Sequence, residues 1–355
     1  MKQHSFTRFL DSYGQANPPE LCYSEDEDFP GWQARLREKL LELRGPVPSR
    51  VDPTVTVIET VEEPDHTRHL LQIAVSSFST LPAYLLVPHG LKKGDKRPGL
   101  LVSHGHCQYG IDSICGIAGM DEGDNSLRAY ALFAVRSGYV VIAPVWWGWS
   151  GRDRHLALVG SRDKCNVIQM AASMYGVNVL DLHIQDAQAA IDVLVACQEV
   201  DSNRIGCLGN SYGGRTAMWF TIFDERIRAC IASGCMNTFR ERSLKLSSCG
   251  IQCPHGLLRY GDVPEMFCLI APRPLQLQAG EGDSLITPSD RDMIEKTVRR
   301  AYQRCGVEDR FSYELHKEGH RLLWEPAETF LKRHLLAEQC GTEPSAPADA
   351  DKPRR

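Results

Sequence analysis

Long hydrophobic runs are absent from this sequence of 355 residues. A helix that crosses a bilayer needs roughly 18 or more consecutive apolar residues, and no segment reaches that length. The stretch from Met1 to Arg8 also lacks the apolar core of a secretory signal peptide. We therefore expect a cytoplasmic protein with no membrane partner.

An excess of positive charge is missing as well. The chain has 40 lysines and arginines against 45 aspartates and glutamates, which gives a net charge of −5 at pH 7. Proteins that bind nucleic acids concentrate basic residues on one surface or along one helix, and here the basic residues are scattered. The composition therefore excludes a nucleic-acid partner, while it leaves homo-oligomerisation open.

Paired metal-ligand motifs are also lacking. The 13 cysteines are an odd number spread along the chain, which favours reduced thiols over a disulfide framework. Cys249 and Cys253, with His255 nearby, have no second ligand pair at zinc-finger spacing. We expect no metal and no organic cofactor.

The order of the apolar segments predicts the fold. Residues 1–50 contain two segments with helical periodicity and are predicted to be an N-terminal helical extension. Strand-like runs joined by hairpins come next, and strands then alternate with helices up to about residue 336. This order predicts an α/β catalytic domain over residues 51–340, with a mostly parallel sheet of eight strands and helices on both faces. The Pro-, Ala- and charge-rich residues 341–355 are predicted to be a disordered tail.

The most informative motif is Gly209-Asn210-Ser211-Tyr212-Gly213. It follows a strand-like run and precedes a helix-like segment, the context in which a Gly-x-Ser-x-Gly turn exposes a serine nucleophile. The glycines allow a tight turn because they carry no Cβ. Ser211 is therefore the candidate nucleophile.

A serine hydroxyl is a weak nucleophile at neutral pH, so it needs a base and a group that orients this base. Asp283 follows a strand-like run and is the candidate acid, with Glu281 and Asp262 as weaker candidates and a turn-forming role as the alternative. His320 follows the last strand-like run and is the candidate base, preferred to His316 at the strand end. The chain order serine, aspartate, histidine fits this motif.

An oxyanion hole requires two backbone donors. The amide of Tyr212, directly after the serine, is one candidate. The second is the amide of His106, in the loop that begins with His104-Gly105, with Cys107 as the alternative. The side chain of His104 is expected to be structural.

These segments together resemble the α/β-hydrolase superfamily, and most of all its dienelactone-hydrolase and acetyl-xylan-esterase-like branches. The resemblance covers about residues 52–338. It includes Asp163 to Asn166, Leu180 to Ala187 and Ile191-Asp192 before the serine, and Leu257 to Asp262 and Ala271 to Leu275 before the acid. Dienelactone hydrolases use a cysteine nucleophile, whereas position 211 is serine, which favours ester hydrolysis. The resemblance implies that Ser211, His320 and Asp283 act as a catalytic triad.

Two features near the motif concern the substrate pocket. Trp146, Trp147 and Trp149 follow a strand and are expected to line the pocket, with buried packing as the alternative. Residues 236–264 lie between two strands and are long enough to form a lid or a wall of the pocket.

The sequence therefore predicts a serine carboxylic-ester hydrolase that acts on small acyl esters of the acetyl type through an acyl-enzyme. The predicted partner is a small-molecule ester. A serine peptidase or a C–C bond hydrolase on the same scaffold is the enzymatic alternative. A non-catalytic binding protein is the alternative from a different class.

Overall fold

The computed structural model describes residues 5–24, 26–107, 109–118, 127–149, 152 and 164–336. The predicted tail at residues 341–355 lies outside the described residues. No helix within the described ranges is long and apolar enough to cross a bilayer.

A mostly parallel sheet forms the centre of the fold. The strands of the described chain are β1 (Val55–Glu62), β2 (His66–Ser76), β3 (Ser79–Pro88), β4 (Arg97–Ser103), β5 (Val140–Pro144), β6 (Val200–Asn210), β7 (Ile227–Ser233), β8 (Leu275–Gly280) and β9 (Phe311–His316). Their order in the sheet is β1-β2-β3-β5-β4-β6-β7-β8-β9. In this order, the three pairs β1-β2, β2-β3 and β3-β5 are antiparallel. The five pairs that follow, from β5-β4 to β8-β9, are parallel.

The predicted count of eight strands is wrong, because the described residues form a sheet of nine strands. Not all of these strands are held by burial. Almost every residue of the edge strand β1 is exposed, and hydrogen bonding to β2 holds this strand in the sheet.

Helices surround the sheet. The α-helices of the described residues are α1 (Phe6–Ala16), α2 (Phe29–Leu43), α3 (Ile111–Ile114), α4 (Tyr130–Arg136), α5 (Lys164–Ser173), α6 (Val179–Ala196), α7 (Tyr212–Phe223), α8 (Phe239–Leu244), α9 (Val263–Cys268), α10 (Pro288–Arg304) and α11 (Trp324–Leu331). Every residue of β5 and β8 is buried. Because successive side chains of a strand point to opposite faces, both faces of the central sheet must be covered.

The second N-terminal helix packs directly on the core. Trp32, Leu36 and Leu40 recur at intervals of four and are fully buried. On the same helix, the Gln33 amide donates to the carbonyl oxygens of Cys268 and Ala271, both at 2.9 Å. Helix α2 is thus attached to the main body by apolar contacts and by hydrogen bonds.

The register of the parallel strands brings four loops together. Ser103 at the end of β4 is paired with Gly209 near the end of β6, and Gly280 at the end of β8 is paired with His316 at the end of β9. The carboxyl ends of parallel strands lie at one edge of the sheet, where ligands of open α/β sheets bind. The loops that carry the candidate residues therefore meet at this edge.

Candidate active site

Ser211 lies at a strained turn between β6 and α7. Its φ of 63° and ψ of −123° fall outside the regions that residues with a Cβ readily adopt. The Ser211 N–H donates to the Ser233 carbonyl on the neighbouring strand at 2.8 Å, which helps to hold this conformation. Strain of this kind persists only where the surrounding structure enforces it, and it concentrates at functional sites.

The two glycines of the motif are required by close backbone approach. A Cβ on Gly209 would lie 2.5 Å from the carbonyl carbon and oxygen of Gly213. A Cβ on Gly213 would lie even closer to the Ser103 carbonyl oxygen at the end of β4. Both partners are backbone atoms that cannot rotate away, so the turn accommodates no side chain at either position.

His320 and Asp283 are hydrogen bonded to each other. Nδ1 of His320 lies 2.6 Å from Oδ2 of Asp283, whose side chain is fully buried. The other carboxylate oxygen accepts the N–H of Leu285 at 2.9 Å, which fixes the orientation of the carboxylate. Within the described residues, Nε2 of His320 is buried and has no hydrogen-bond partner. His320 and Ser211 line the same cavity of about 500 Å³.

The alternative acids and the alternative base lie elsewhere. Glu281 is exposed at the end of β8. Asp262 is the N-cap of α9 and accepts backbone N–H groups. His316 is buried at the end of β9 and is not among the described residues that line the cavity. The structure therefore brings together Ser211, His320 and Asp283.

The two candidate oxyanion donors border the same cavity. Tyr212 is the first residue of α7, so its N–H has no acceptor within the helix. His106 lies in the loop after β4, and its ring centroid is 5.0 Å from that of Tyr212. The N–H of Cys107, the alternative donor, is bonded to the Gly105 carbonyl at 3.0 Å. The geometry thus favours His106 over Cys107, and both donor assignments stay predictions.

His104 has the structural role that was expected of it. Its Nδ1 donates to the Gly105 carbonyl at 2.9 Å, and its Nε2 accepts the N–H of Trp146 at 3.3 Å. Only a neutral imidazole makes both bonds. Full burial lowers the pKa of His104 to about 4, which keeps the ring neutral.

Sequence reasoning missed His183. This fully buried histidine of α6 accepts the N–H of Trp147 at 3.0 Å and lies 2.6 Å from the Tyr212 hydroxyl through its Nδ1. Burial holds the pKa of His183 well below its ordinary value, so the ring is neutral. It connects α6 to the residue that follows the candidate nucleophile. The signal in the sequence that could have indicated this role was a histidine among the apolar residues of α6.

The expectation that three tryptophans line the pocket is corrected. None of Trp146, Trp147 and Trp149 is among the described residues that line the cavity. Trp146 is fully buried and donates through Nε1 to the Ser103 hydroxyl. Trp149 stacks on the Tyr212 ring at 5.6 Å, and Trp147 packs against the Arg152 guanidinium at 3.7 Å. They pack behind the site, because large aromatic side chains stabilise most when buried.

Residues 236–264 form one wall of the cavity. Asn237, Arg242, Leu246 and Cys249 of this segment all line it. Several of its apolar side chains are buried in the core, among them Met236, Phe239, Ile251 and Leu257, whereas Leu246 is exposed. The segment is therefore anchored, and lid motion stays a prediction.

Three metal-ligating side chains meet beside the site, at positions that differ from the Cys249/Cys253 pattern seen in the sequence. The ligand atoms of His106, Cys165 and Cys249 all lie within 4.8 Å of one another. Nε2 of His106 is 3.4 Å from Sγ of Cys165. Imidazole and thiolate are ligands that zinc and other soft cations prefer, so this cluster could hold such an ion.

Comparisons with known proteins give matches over most of the chain. No protein-family model matches the sequence. The protein named "Putative hydrolase YtaP" from Bacillus subtilis is 26% identical over 297 residues, which cover 81% of this chain and 94% of that protein.

Solved structures are similar in fold. A structure of "a putative acetyl xylan esterase" from Bacteroides fragilis superposes with a TM-score of 0.71 at 19% identity, over 89% of this chain and 83% of that one. The glucuronoyl esterase from Solibacter usitatus gives 0.66 at 16% identity, over 89% and 97%. Acetyl xylan esterase 1 from a Thermoanaerobacterium species gives 0.53 at 18%, over 93% and 99%. The predicted resemblance to acetyl xylan esterases is thereby confirmed at the level of the fold, and the chain has an α/β-hydrolase fold similar to these esterase structures.

Proposed function

We propose that this protein is a serine ester hydrolase with Ser211 as nucleophile, His320 as general base and acid, and Asp283 as the residue that orients His320. The observation that carries the proposal is the orientation of His320. Its Nδ1 is bonded to buried Asp283 at 2.6 Å, which leaves Nε2 unpaired within the described residues and next to the cavity that Ser211 lines. A serine activated by such a pair performs acyl transfer.

The reaction begins when Oγ of Ser211 attacks the ester carbonyl carbon and its proton passes to Nε2 of His320. The carbonyl oxygen becomes an oxyanion that the N–H groups of Tyr212 and His106 stabilise. The tetrahedral intermediate then collapses, and His320 gives its proton to the departing alcohol. Ser211 is left as an acyl ester.

Deacylation repeats these steps with water. His320 accepts a proton from the water that attacks the acyl carbon, and it returns this proton to Oγ of Ser211 as the acid leaves. Asp283 keeps the imidazole in the tautomer with a proton on Nδ1 and stabilises the imidazolium formed in each half. Every step uses groups of this chain.

The proposed substrates are small acyl esters of the acetyl type. The cavity of about 500 Å³ is in the size range of small-molecule sites. Similarity to acetyl xylan esterase and glucuronoyl esterase structures supports ester cleavage, and the relative in B. subtilis supports hydrolysis in general.

A fluorophosphonate probe and a set of chromogenic esters test the proposal. The wild-type protein should be labelled at Ser211 and should hydrolyse 4-nitrophenyl acetate faster than the butyrate. Ser211→Ala should abolish both signals. An acetylated xylo-oligosaccharide, with acetate release as readout, tests carbohydrate esters directly.

The matched control is Ser248→Ala, because Ser248 is another serine that lines the cavity. This variant should be labelled like the wild type. Absence of labelling and of Ser211-dependent turnover on every ester would refute the proposal. A peptidase would instead cleave amide substrates in a Ser211-dependent way.

A further inference from the structure

The charged side chains around the cavity have one sign. Arg128, Arg215 and Arg242 all line it, and no aspartate or glutamate is among its described lining residues. A concave site lined by one sign of charge concentrates ions of the opposite sign. The cavity is therefore expected to attract anions.

Arg215 is the most informative of the three. It follows Ser211 by four positions, and its N–H donates to the Ser211 carbonyl at 3.0 Å. Arg215 lies in the first turn of α7, and it lines the same cavity as Ser211. Arg215 is only 1% exposed.

The guanidinium of Arg215 is incompletely paired. Nη2 donates to the carbonyl and side-chain oxygens of Asn237 at 2.9 and 2.7 Å. Nε and Nη1 are buried and have no hydrogen-bond partner within the described part of the chain. Unpaired buried charge is costly, and each free N–H group of a guanidinium can donate to an anion such as a carboxylate.

No acid in the described part of the chain satisfies these donors. Asp262 attracts Arg215 electrostatically, but its oxygens accept the backbone N–H groups of Phe239 and Arg240. The face of the guanidinium lies over the Phe239 ring at 4.5 Å. Burial lowers the pKa of Arg215, as expected for a cation that lacks an adjacent counter-charge.

Arg242 adds a second positive charge to the lining of the cavity. It lies on α8, and one of its terminal nitrogens donates to the Ser247 carbonyl at 2.6 Å. Its charge and that of Arg215 repel each other. Two like charges that border one cavity are stabilised together by an anion between them.

We propose that this cavity contains a carboxylate-binding subsite formed by Arg215 and Arg242, and that the preferred substrate is an ester carrying a carboxylate on its acyl or its alcohol part. This inference rests on the proposed ester hydrolysis and names its substrate class. Arg215 and Arg242 bind and orient the substrate and take no part in the transfer of protons.

Two pairs of esters with matched shape test the subsite. On the acyl side, mono-4-nitrophenyl adipate is compared with its neutral methyl ester. On the alcohol side, 4-acetoxybenzoate is compared with methyl 4-acetoxybenzoate. In at least one pair, kcat/KM for the carboxylate should exceed that for the neutral ester by about tenfold to a hundredfold, the range of a charge-assisted hydrogen bond. The preference should decrease with rising ionic strength.

The variants Arg215→Gln and Arg242→Gln should each reduce this ratio by about tenfold. The matched control is Arg240→Gln, because Arg240 also lies on α8, is exposed, and pairs with Asp11 away from the cavity. It removes the same charge and should leave the ratio unchanged. Arg242 is partly exposed, so its variant keeps the test valid if Arg215→Gln fails to fold.

A binding measurement on Ser211→Ala separates this inference from the proposed function. NMR titration should show that 4-acetamidobenzoate binds more tightly than neutral 4-acetamidobenzamide, whether or not any ester is cleaved. Ser211-dependent hydrolysis with equal rates within both pairs, together with equal binding of the two amides, would overturn the inference. If Arg242→Gln keeps the same ratio of kcat/KM values as Arg240→Gln, Arg242 does not bind the carboxylate and the proposed subsite is refuted.

Discussion

The Tyr212 hydroxyl and Nδ1 of His183 lie 2.6 Å apart in the fully buried layer behind the candidate nucleophile. Because Nε2 of His183 accepts the N–H of Trp147, the proton of the neutral ring is on Nδ1 and points to the tyrosine. This bond joins α6 to the first residue of α7 and so supports the turn that presents Ser211.

Tyr212→Phe should therefore destabilise the protein more than it slows the reaction. The substitution leaves the His183 N–H buried and unsatisfied, which costs about 1–3 kcal/mol of unfolding free energy. The backbone N–H of residue 212 remains, so kcat should fall less than tenfold. Thermal unfolding and ester turnover measure the two effects, and Tyr13→Phe, at an exposed position, is the control. Equal melting temperatures for the two variants would show that the bond contributes nothing.

Asp283→Asn should lower kcat by about 10³- to 10⁴-fold, because an amide no longer holds His320 in the reactive tautomer. Glu281→Gln, in the same loop but exposed, should retain nearly full activity. Steady-state kinetics on 4-nitrophenyl acetate with both variants measures the difference. A large loss in the Glu281 variant with activity retained in the Asp283 variant would reverse the assignment.

Gly213→Ala should destabilise the protein by about 3 kcal/mol, because its Cβ would overlap the backbone carbonyl of Ser103. Gly14→Ala is the control, since a Cβ at that helical position meets nothing within 4 Å. Chemical denaturation of both variants gives the comparison. If Gly213→Ala is as stable as Gly14→Ala, the close approach of β4 and α7 is not as tight as described.

Acidification should destabilise the fold through buried His104. Its pKa is about 4 in the folded protein and near 6.5 when unfolded, so only the unfolded chain takes up the proton between these values. The contribution of His104 to the free energy of unfolding is fully present above pH 6.5 and is lost as the pH falls towards 4. The loss amounts to roughly 3 kcal/mol for this one group. His183 acts in the same direction. Denaturation curves should show a lower free energy of unfolding at pH 5 than at pH 7. The difference between the two pH values should be smaller in the His104→Asn variant.

Zinc should inhibit the proposed ester hydrolysis. An ion held by His106, Cys165 and Cys249 would lie beside the proposed oxyanion donor His106 and restrict its loop. Added Zn²⁺ should slow Ser211-dependent turnover, and EDTA should reverse the effect. Cys249→Ser should relieve the inhibition, while Cys253→Ser, at a cysteine outside the cluster, should not. Equal inhibition of both variants would place the zinc effect elsewhere.

Much of the fold and the proximity of the triad could be predicted from the sequence, because both depend on local patterns. The strand–turn–helix around Ser211 and the strand-then-loop context of Asp283 and His320 are continuous segments. Parallel strands bring the ends of such segments to one sheet edge. The catalytic roles of these residues remain predictions that the labelling experiment tests.

The features that were predicted wrongly or missed depend on tertiary packing. The tryptophans at 146, 147 and 149 follow a strand near the site, but the side on which a loop packs depends on its neighbours, and here these are His104, His183 and Tyr212. The contact of His106 with Cys165 and Cys249 joins segments that are far apart in sequence. No spacing rule finds a cluster of that kind.

The wall formed by residues 236–264 has a consequence for how such a protein can change. The candidate catalytic residues follow the ends of sheet strands, where the turn at Gly209 and Gly213 accepts no side chain, whereas Arg242 and Leu246 belong to a segment outside the strands. Substitutions in this segment can reshape the cavity and leave the Ser211 turn intact. Under the proposed function, substrate preference can therefore change faster than the chemistry.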